Sequence, residues 1–264
     1  MTISTTNEPL EPVAVPAFED NYIWWLAGGD GRVTVVDPGE AGALLDRLRA
    51  RSADLAAILV THHHGDHTGG IEELAEAFPG CEVIAPRDPR IPGVTRPVGE
   101  GDRVDTAGRA WTVWAVPGHT RTHIAFLGGG LLLCGDTLFA GGCGRVFDGT
   151  FGQLAGSLRR IAALPGTTRV YCAHEYTLDN LGFAAWVEPG NPAIARRRTE
   201  VAALRARGLP SVPSTLATER ATNPFLRTGE PAVLSAAEAW AGHPLGGADA
   251  VFRALREWKD RDYD

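Results

Sequence analysis

Short apolar runs alternate with segments of helical periodicity from the N-terminal region to about Ala173. Runs rich in Val, Ile, Leu and Trp predict strands at Tyr22–Leu26, Val33–Asp37, Ala56–Val60, Glu82–Ala85, Trp111–Val116, His123–Leu127, Leu131–Cys134 and Arg169–Ala173. Helical patterns cover Ala41–Arg51, Gly70–Phe78 and Phe151–Leu164, the last stopped by Pro165-Gly166. Many strands and few helices predict two sheets with helices on their outer faces, because each sheet must cover an apolar face. After His174 the pattern changes. Asp179–Trp186, Pro192–Arg207 and Ala248–Asp260 read as helices, separated by the proline-bearing segments Leu209–Ser214 and Asn223–Pro231 with no strand between them. A boundary is therefore expected near Glu175, dividing the chain into domains of residues 1–174 and 175–264.

Composition narrows the function. With 264 residues the chain can bury a full core, and its net charge of −7 argues against a nucleic-acid partner, which needs a concentrated basic surface. Met1–Pro16 carries neither Lys nor Arg and no continuous apolar core, so no secretory signal is expected; no run reaches the length of a membrane span. A cytoplasmic, monomeric enzyme is the expectation. Cys81, Cys134, Cys143 and Cys172 lack CxxC spacing and are expected to be reduced, buried thiols. Arg196-Arg197-Arg198 is expected on a solvated helix face. Among the 25 basic residues only Lys259 is a lysine.

The chemistry concentrates in Thr61-His62-His63-His64-Gly65-Asp66-His67, which follows the apolar run Ala56–Val60 and holds four of the eight histidines. Imidazoles with a carboxylate and no thiolate suit zinc, iron or manganese. Alternation along an extended segment aims His62 and His64 one way, at one ion, and His63 the other, leaving Asp66 and His67 for a neighbouring ion. His119, Asp136 and His174 each follow an apolar run, so several strand ends can converge on one site.

These segments, together with Pro117-Gly118-His119-Thr120, Gly135-Asp136-Thr137-Leu138-Phe139 and Ala173-His174-Glu175-Tyr176-Thr177, resemble the metal-binding motifs of the metallo-β-lactamase superfamily. More narrowly the chain is similar to glyoxalase II, the hydroxyacylglutathione hydrolases, a likeness that extends to Asp20-Asn21-Tyr22, Val187-Glu188-Pro189-Gly190-Asn191, Asn223-Pro224-Phe225-Leu226-Arg227 and Arg256-Glu257-Trp258-Lys259-Asp260. The resemblance implies an αββα sandwich followed by a small all-helical domain that binds the thiol. It also implies two divalent ions, Zn, Fe or Mn, one held by His62, His64 and His119 and the other by Asp66, His67 and His174, with Asp136 bridging them. His123 is then a supporting residue. Arg145, Tyr176, Arg256 and Lys259 match the family's glutathione-gripping positions. Phe147 departs from the pattern, since family members often carry a tyrosine in this segment.

The implied reaction is hydrolysis of S-(2-hydroxyacyl)glutathione, typically S-D-lactoylglutathione, to D-lactate and glutathione in methylglyoxal detoxification. Asp66 and Asp136 would hold a metal-activated hydroxide as the nucleophile, and the thiolate leaving group needs no proton donor. Competing readings are a persulfide dioxygenase, which shares the fold but uses a single iron, or another hydrolase of this fold acting on a different acyl thiol.

Overall fold

The computed structural model describes residues 11–263, and its backbone divides into two compact units, Met1–Trp114 with Ile124–Gly129, and Ala115–His123 with Gly130–Asp264. In the first unit a six-stranded sheet runs in chain order through β1 (Val13–Ala17), β2 (Asn21–Ala27), β3 (Arg32–Val36), β4 (Asp54–Leu59), β5 (Glu82–Pro86) and β6 (Arg96–Val98). The first three strands are antiparallel and the pairs from β3 to β6 are parallel. Parallel neighbours require crossover connections. Here α1 (Gly42–Arg51) joins β3 to β4, while α2 (Gly65–Thr68) and α3 (Ile71–Ala77) lie between β4 and β5.

The apolar stripe of α1, Leu44, Leu45 and Leu48, shares one core with Ile71 and Leu74 of α3 and with Ile23, Trp25, Val33, Val35, Leu55 and Ile58 of the sheet. An interior parallel strand is covered on both faces, which is why β4 reads as a continuous apolar run rather than an alternation. β7 (Arg103–Thr106) and β8 (Arg109–Ala115) form an antiparallel hairpin with β9 (Ile124–Gly128) beside β8.

The second unit begins its sheet with β10 (Leu131–Gly135), followed by a small hairpin of β11 (Leu138–Phe139) and β12 (Gly142–Cys143). Helix α4 (Phe151–Ala162) starts where the Thr150 hydroxyl accepts a hydrogen bond from Gln153 N at 3.2 Å, and it leads into β13 (Arg169–Cys172), parallel to β10. The register pairs Gly135 with Cys172. Asp136 is one residue beyond the end of β10 and His174 two beyond the end of β13, so the strand pairing brings both to the same sheet end.

Helices then dominate: α5 (Thr177–Val187), α6 (Pro192–Arg205), α7 (Leu216–Thr222), a 3-10 turn at Pro224–Leu226, α8 (Pro231–Ala241), α9 (Ala248–Trp258) and a π-helical turn at Lys259–Tyr263. They close around stacked and edge-on aromatics: Phe183 lies 6.0 Å from Phe225 and 5.5 Å from Trp258, and Phe225 lies 5.7 Å from Phe252. The C-terminal stretch departs from the sequence reading in several places, among them α7, which that reading left without a helix. A two-residue strand, β14 (Ser214–Thr215), pairs with β13 inside the segment read as wholly helical. Pro231, read as part of a breaking segment, is instead the first residue of α8, where its missing N–H costs nothing and its fixed φ suits the helix. No helix among the described residues is long and apolar enough to cross a membrane.

Candidate metal centre

In the first unit the chain leaves β4 and presents the histidine cluster at that strand's C-terminal end, the end at which open α/β sheets place their ligands. Val60, Thr61 and His62 remain buried, and α2 then turns Asp66 and His67 back toward His62. His62 Nε2 and His64 Nδ1 lie 3.1 Å apart, and His67 Nε2 and Asp66 Oδ2 lie 3.4 Å apart. Two ligand atoms on a tetrahedral ion with bonds of about 2.0–2.1 Å are separated by roughly 3.3 Å, so both pairs have the spacing of ligands to one ion. His63 turns elsewhere: its Nδ1 faces Asp88 Oδ2 at 3.7 Å, and Asp88 is clamped by Arg90 Nε and Nη2.

Two further residues fix this half of the centre. Asp37, buried beyond β3 at a φ of 54°, accepts from Thr61 N at 2.7 Å and Thr61 Oγ1 at 2.8 Å, and its Oδ2 faces His67 Nδ1 at 3.3 Å. A carboxylate on Nδ1 sets the imidazole tautomer and turns Nε2 toward a metal. Asn21 Nδ2 donates to Asp66 Oδ2 at 3.1 Å and so fixes the carboxylate's orientation. The loop carrying Asp37 approaches α2 so closely that a Cβ on Gly39 would lie 2.0 Å from the Asp66 carbonyl oxygen.

The second unit holds the other group. His119 Nε2 and His174 Nε2 face the same atom, Asp136 Oδ2, at 3.6 and 3.4 Å. His119 is oriented by its Nδ1–H, which donates to Arg145 O at 2.8 Å. Asp136 N donates to His123 Nε2 at 3.2 Å while His123 Nδ1 lies 3.3 Å from Thr137 Oγ1, so His123 holds the backbone beneath Asp136. Gly144 packs against both groups: a Cβ there would stand 2.1 Å from Asp136 O and 2.9 Å from His119 Nδ1. The His174 ring is stacked on Tyr176 at 4.7 Å and 8°, with Phe139 edge-on to both.

The residues matched to glutathione-gripping positions lie in this unit. Arg145, about half exposed, places Nε 3.5 Å from Asp260 Oδ1; Lys259 Nζ lies 3.6 Å from Asp179 Oδ2. Arg256 is fully enclosed, donating to Cys143 O at 3.0 Å and to Asp260 Oδ1 at 2.9 Å with its guanidinium over Phe225. Phe147 is exposed and edge-on to His119 at 5.2 Å. All four cysteines are free and buried, and burial pushes Cys143 up to about 11 and Cys81 and Cys172 up to about 12. Burial favours the thiol form of these cysteines over the reactive thiolate.

Asp37 escaped the sequence reading, although the signal that picked out the other strand-end residues, an ionisable side chain directly after an apolar run, is present at Val33–Asp37.

Comparison with known proteins identifies the family and the fold. Residues 19–174 match the family model of the metallo-beta-lactamase superfamily, and residues 175–262 match that of the hydroxyacylglutathione hydrolase C-terminus. The hydroxyacylglutathione hydrolase of Alkalilimnicola ehrlichii is 53% identical, over 95% of this chain and 99% of its own. Among solved structures, ETHE1 from Myxococcus xanthus shares the fold with a TM-score of 0.67 at 21% identity, over 96% of this chain and 93% of that one. TTHA1623 in a di-iron-bound form gives 0.60 at 26% identity, over 82% of this chain and all of that one.

Proposed function

From the premise that the chain belongs to the hydroxyacylglutathione hydrolase family of the metallo-β-lactamase superfamily, we propose a hydrolase of S-(2-hydroxyacyl)glutathione thioesters, typically S-D-lactoylglutathione, that uses two divalent ions. The carrying observation is the near full-length likeness to a hydroxyacylglutathione hydrolase, in a chain whose His and Asp side chains pair at ligand spacing in each unit. By the family resemblance His62, His64 and His119 would hold one ion and Asp66, His67 and His174 the other, with Asp136 available to both. Divalent ions bound there would supply Lewis acidity, lowering the pKa of a water from 15.7 to about 7 and polarising the thioester carbonyl.

The protein's own groups do the rest. The Arg145 carbonyl takes the outer N–H of His119, and the Asp37 carboxylate stands 3.3 Å from Nδ1 of His67, so Nε2 of each ring is the nitrogen that can face a metal. Asn21 keeps one Asp66 oxygen occupied, so the carboxylate cannot swing away. A thiolate departs without a proton donor, as its conjugate acid has a pKa of about 8.5. Lys259, Arg145 and Tyr176 receive the glutathione moiety, with the enclosed Arg256 as their support through Cys143 O and Asp260. A single-iron dioxygenase would leave a second set of ligands without a role, and the di-iron-bound relative favours two ions.

The test is to supply the purified protein with lactoyl thioesters of several cellular thiols and follow thiol release. Preferential turnover of the glutathione ester is expected. Lys259→Ala should raise KM for that ester at least tenfold with a smaller effect on kcat, as loss of uniform binding does; an unchanged KM would remove Lys259 from the carrier site.

A further inference from the structure

Beneath the ligand Asp136, the chain forms the β11–β12 hairpin, whose strands are only two residues long. A two-stranded ribbon of this size has no stability of its own. Its position is set instead by polar side chains from the C-terminal helices. Asn180 Nδ2 of α5 donates to Ala140 O at 3.1 Å. Glu219 Oε2 of α7 accepts from Gly141 N at 2.8 Å. Asn223 Nδ2, at the end of α7, donates to Phe139 O at 3.3 Å and Gly142 O at 2.8 Å, and Arg256 of α9 donates to Cys143 O at 3.0 Å. Every residue from Phe139 to Cys143 is thus held by a side chain from outside the hairpin, and all four of those side chains are at most 1% exposed.

Burying a carboxyl, two amides and a guanidinium costs more than packing the same space with apolar groups, so such an arrangement makes sense where placement matters. Burial pushes the Glu219 carboxyl up, against the pull of the Ser214, Gly141 and Asn223 hydrogen bonds. What depends on the hairpin is visible at both ends. Asp136 precedes it by two residues, Gly144 follows it and seats against Asp136 O and the His119 ring, and Phe139 within it lies edge-on to His174 and Tyr176.

We infer that Glu219 and Asn223 are positioning residues of the hydrolase: through the Phe139–Cys143 backbone they fix Asp136 and the aromatic wall of Phe139, His174 and Tyr176. The C-terminal helices therefore serve the metal centre as well as the thiol carrier. This rests on the metal-dependent hydrolase reading for its kinetic consequences but not for its effect on metal retention.

The experiment uses the full-length, metal-loaded protein with Glu219→Ala, Asn223→Ala, their double variant and the conservative Glu219→Gln, which retains an acceptor for Gly141 N. Three quantities are read: the rate of metal release to excess chelator, and kcat and KM for S-lactoylglutathione. Each alanine variant should release metal about tenfold faster or more and lose about tenfold or more in kcat, the size of effect expected when support behind metal ligands is removed. KM should move by less than about threefold, because the substrate contacts remain. Glu219→Gln should restore both to within about threefold of wild type, and the double variant should add little to the worse single, since both residues act through one hairpin.

Folded alanine variants with wild-type release and kcat would overturn the inference, as would a Glu219→Gln variant as impaired as Glu219→Ala. Should the alanine variants not fold, Asn223→Ser keeps an oxygen to cap Phe225 N while losing both donors to the hairpin; wild-type release and turnover in that variant would equally overturn it. A wild-type protein inactive on glutathione thioesters would defeat the functional reading alone, and metal release would still decide the hairpin's role.

Discussion

Asp37 shows how much of a metal centre lies behind its ligands. It touches three atoms, Thr61 N, Thr61 Oγ1 and His67 Nδ1, and through them ties the end of β3 to the histidine cluster beyond β4. Asp37→Ala should lower metal affinity or turnover by about 10- to 100-fold while His67 itself is retained; metal content after dialysis against a buffered free-ion series measures it, and wild-type affinity would contradict the role. His63→Asn should keep the full metal complement, because His63 faces Asp88 and not its neighbours' shared space. The sequence carried the alternation of His62 and His64 away from His63, since it depends only on extended backbone geometry. It did not carry Asn21 or Asp37 as partners of Asp66 and His67, because those contacts join residues 45 and 30 positions apart through a fold that had first to be known.

At the scale of elements, strands were legible where apolar runs were long, and the interior strands β2, β3, β4 and β10 fall within a residue or two of their predicted ends. Apart from β1, the missed strands are short or polar: β6 has three residues, β7 carries the exposed Arg103, and β11, β12 and β14 have two residues each. Their existence depends on tertiary partners, which local pattern does not encode. The close approach of the loop after β12 to Asp136 makes a sharp prediction. Gly144→Ala places a Cβ against the Asp136 carbonyl, and should destabilise the fold by about 1–3 kcal/mol through overpacking while displacing a ligand. Urea unfolding and turnover measured on the same variant check this; unchanged values of both would mean that the backbone yields freely there.

Across the whole molecule, the histidine and aspartate motifs fall between His62 and His174, while the α5–α9 segment carries the side chains that hold the hairpin. The two kinds of residue were unequally readable. The candidate ligands stood out by chemical type and position after strands, whereas Glu219, Asn180 and Asn223 look like ordinary helix and cap residues until their backbone partners are seen. The thiols give an independent check on the compactness of both units: native protein at pH 8 should react negligibly with a thiol reagent, a group of pKa about 11 being thiolate in only about one molecule in a thousand. Four thiols should appear on denaturation; rapid reaction of a native thiol would contradict their burial. The most direct test of the two-metal hydrolase is metal content and S-lactoylglutathione turnover on one sample of wild type and of Asp136→Ala. Two ions per active chain, with loss of at least one ion and nearly all turnover in the variant, is the predicted result; an active wild type holding a single ion, or full activity in Asp136→Ala, would contradict it.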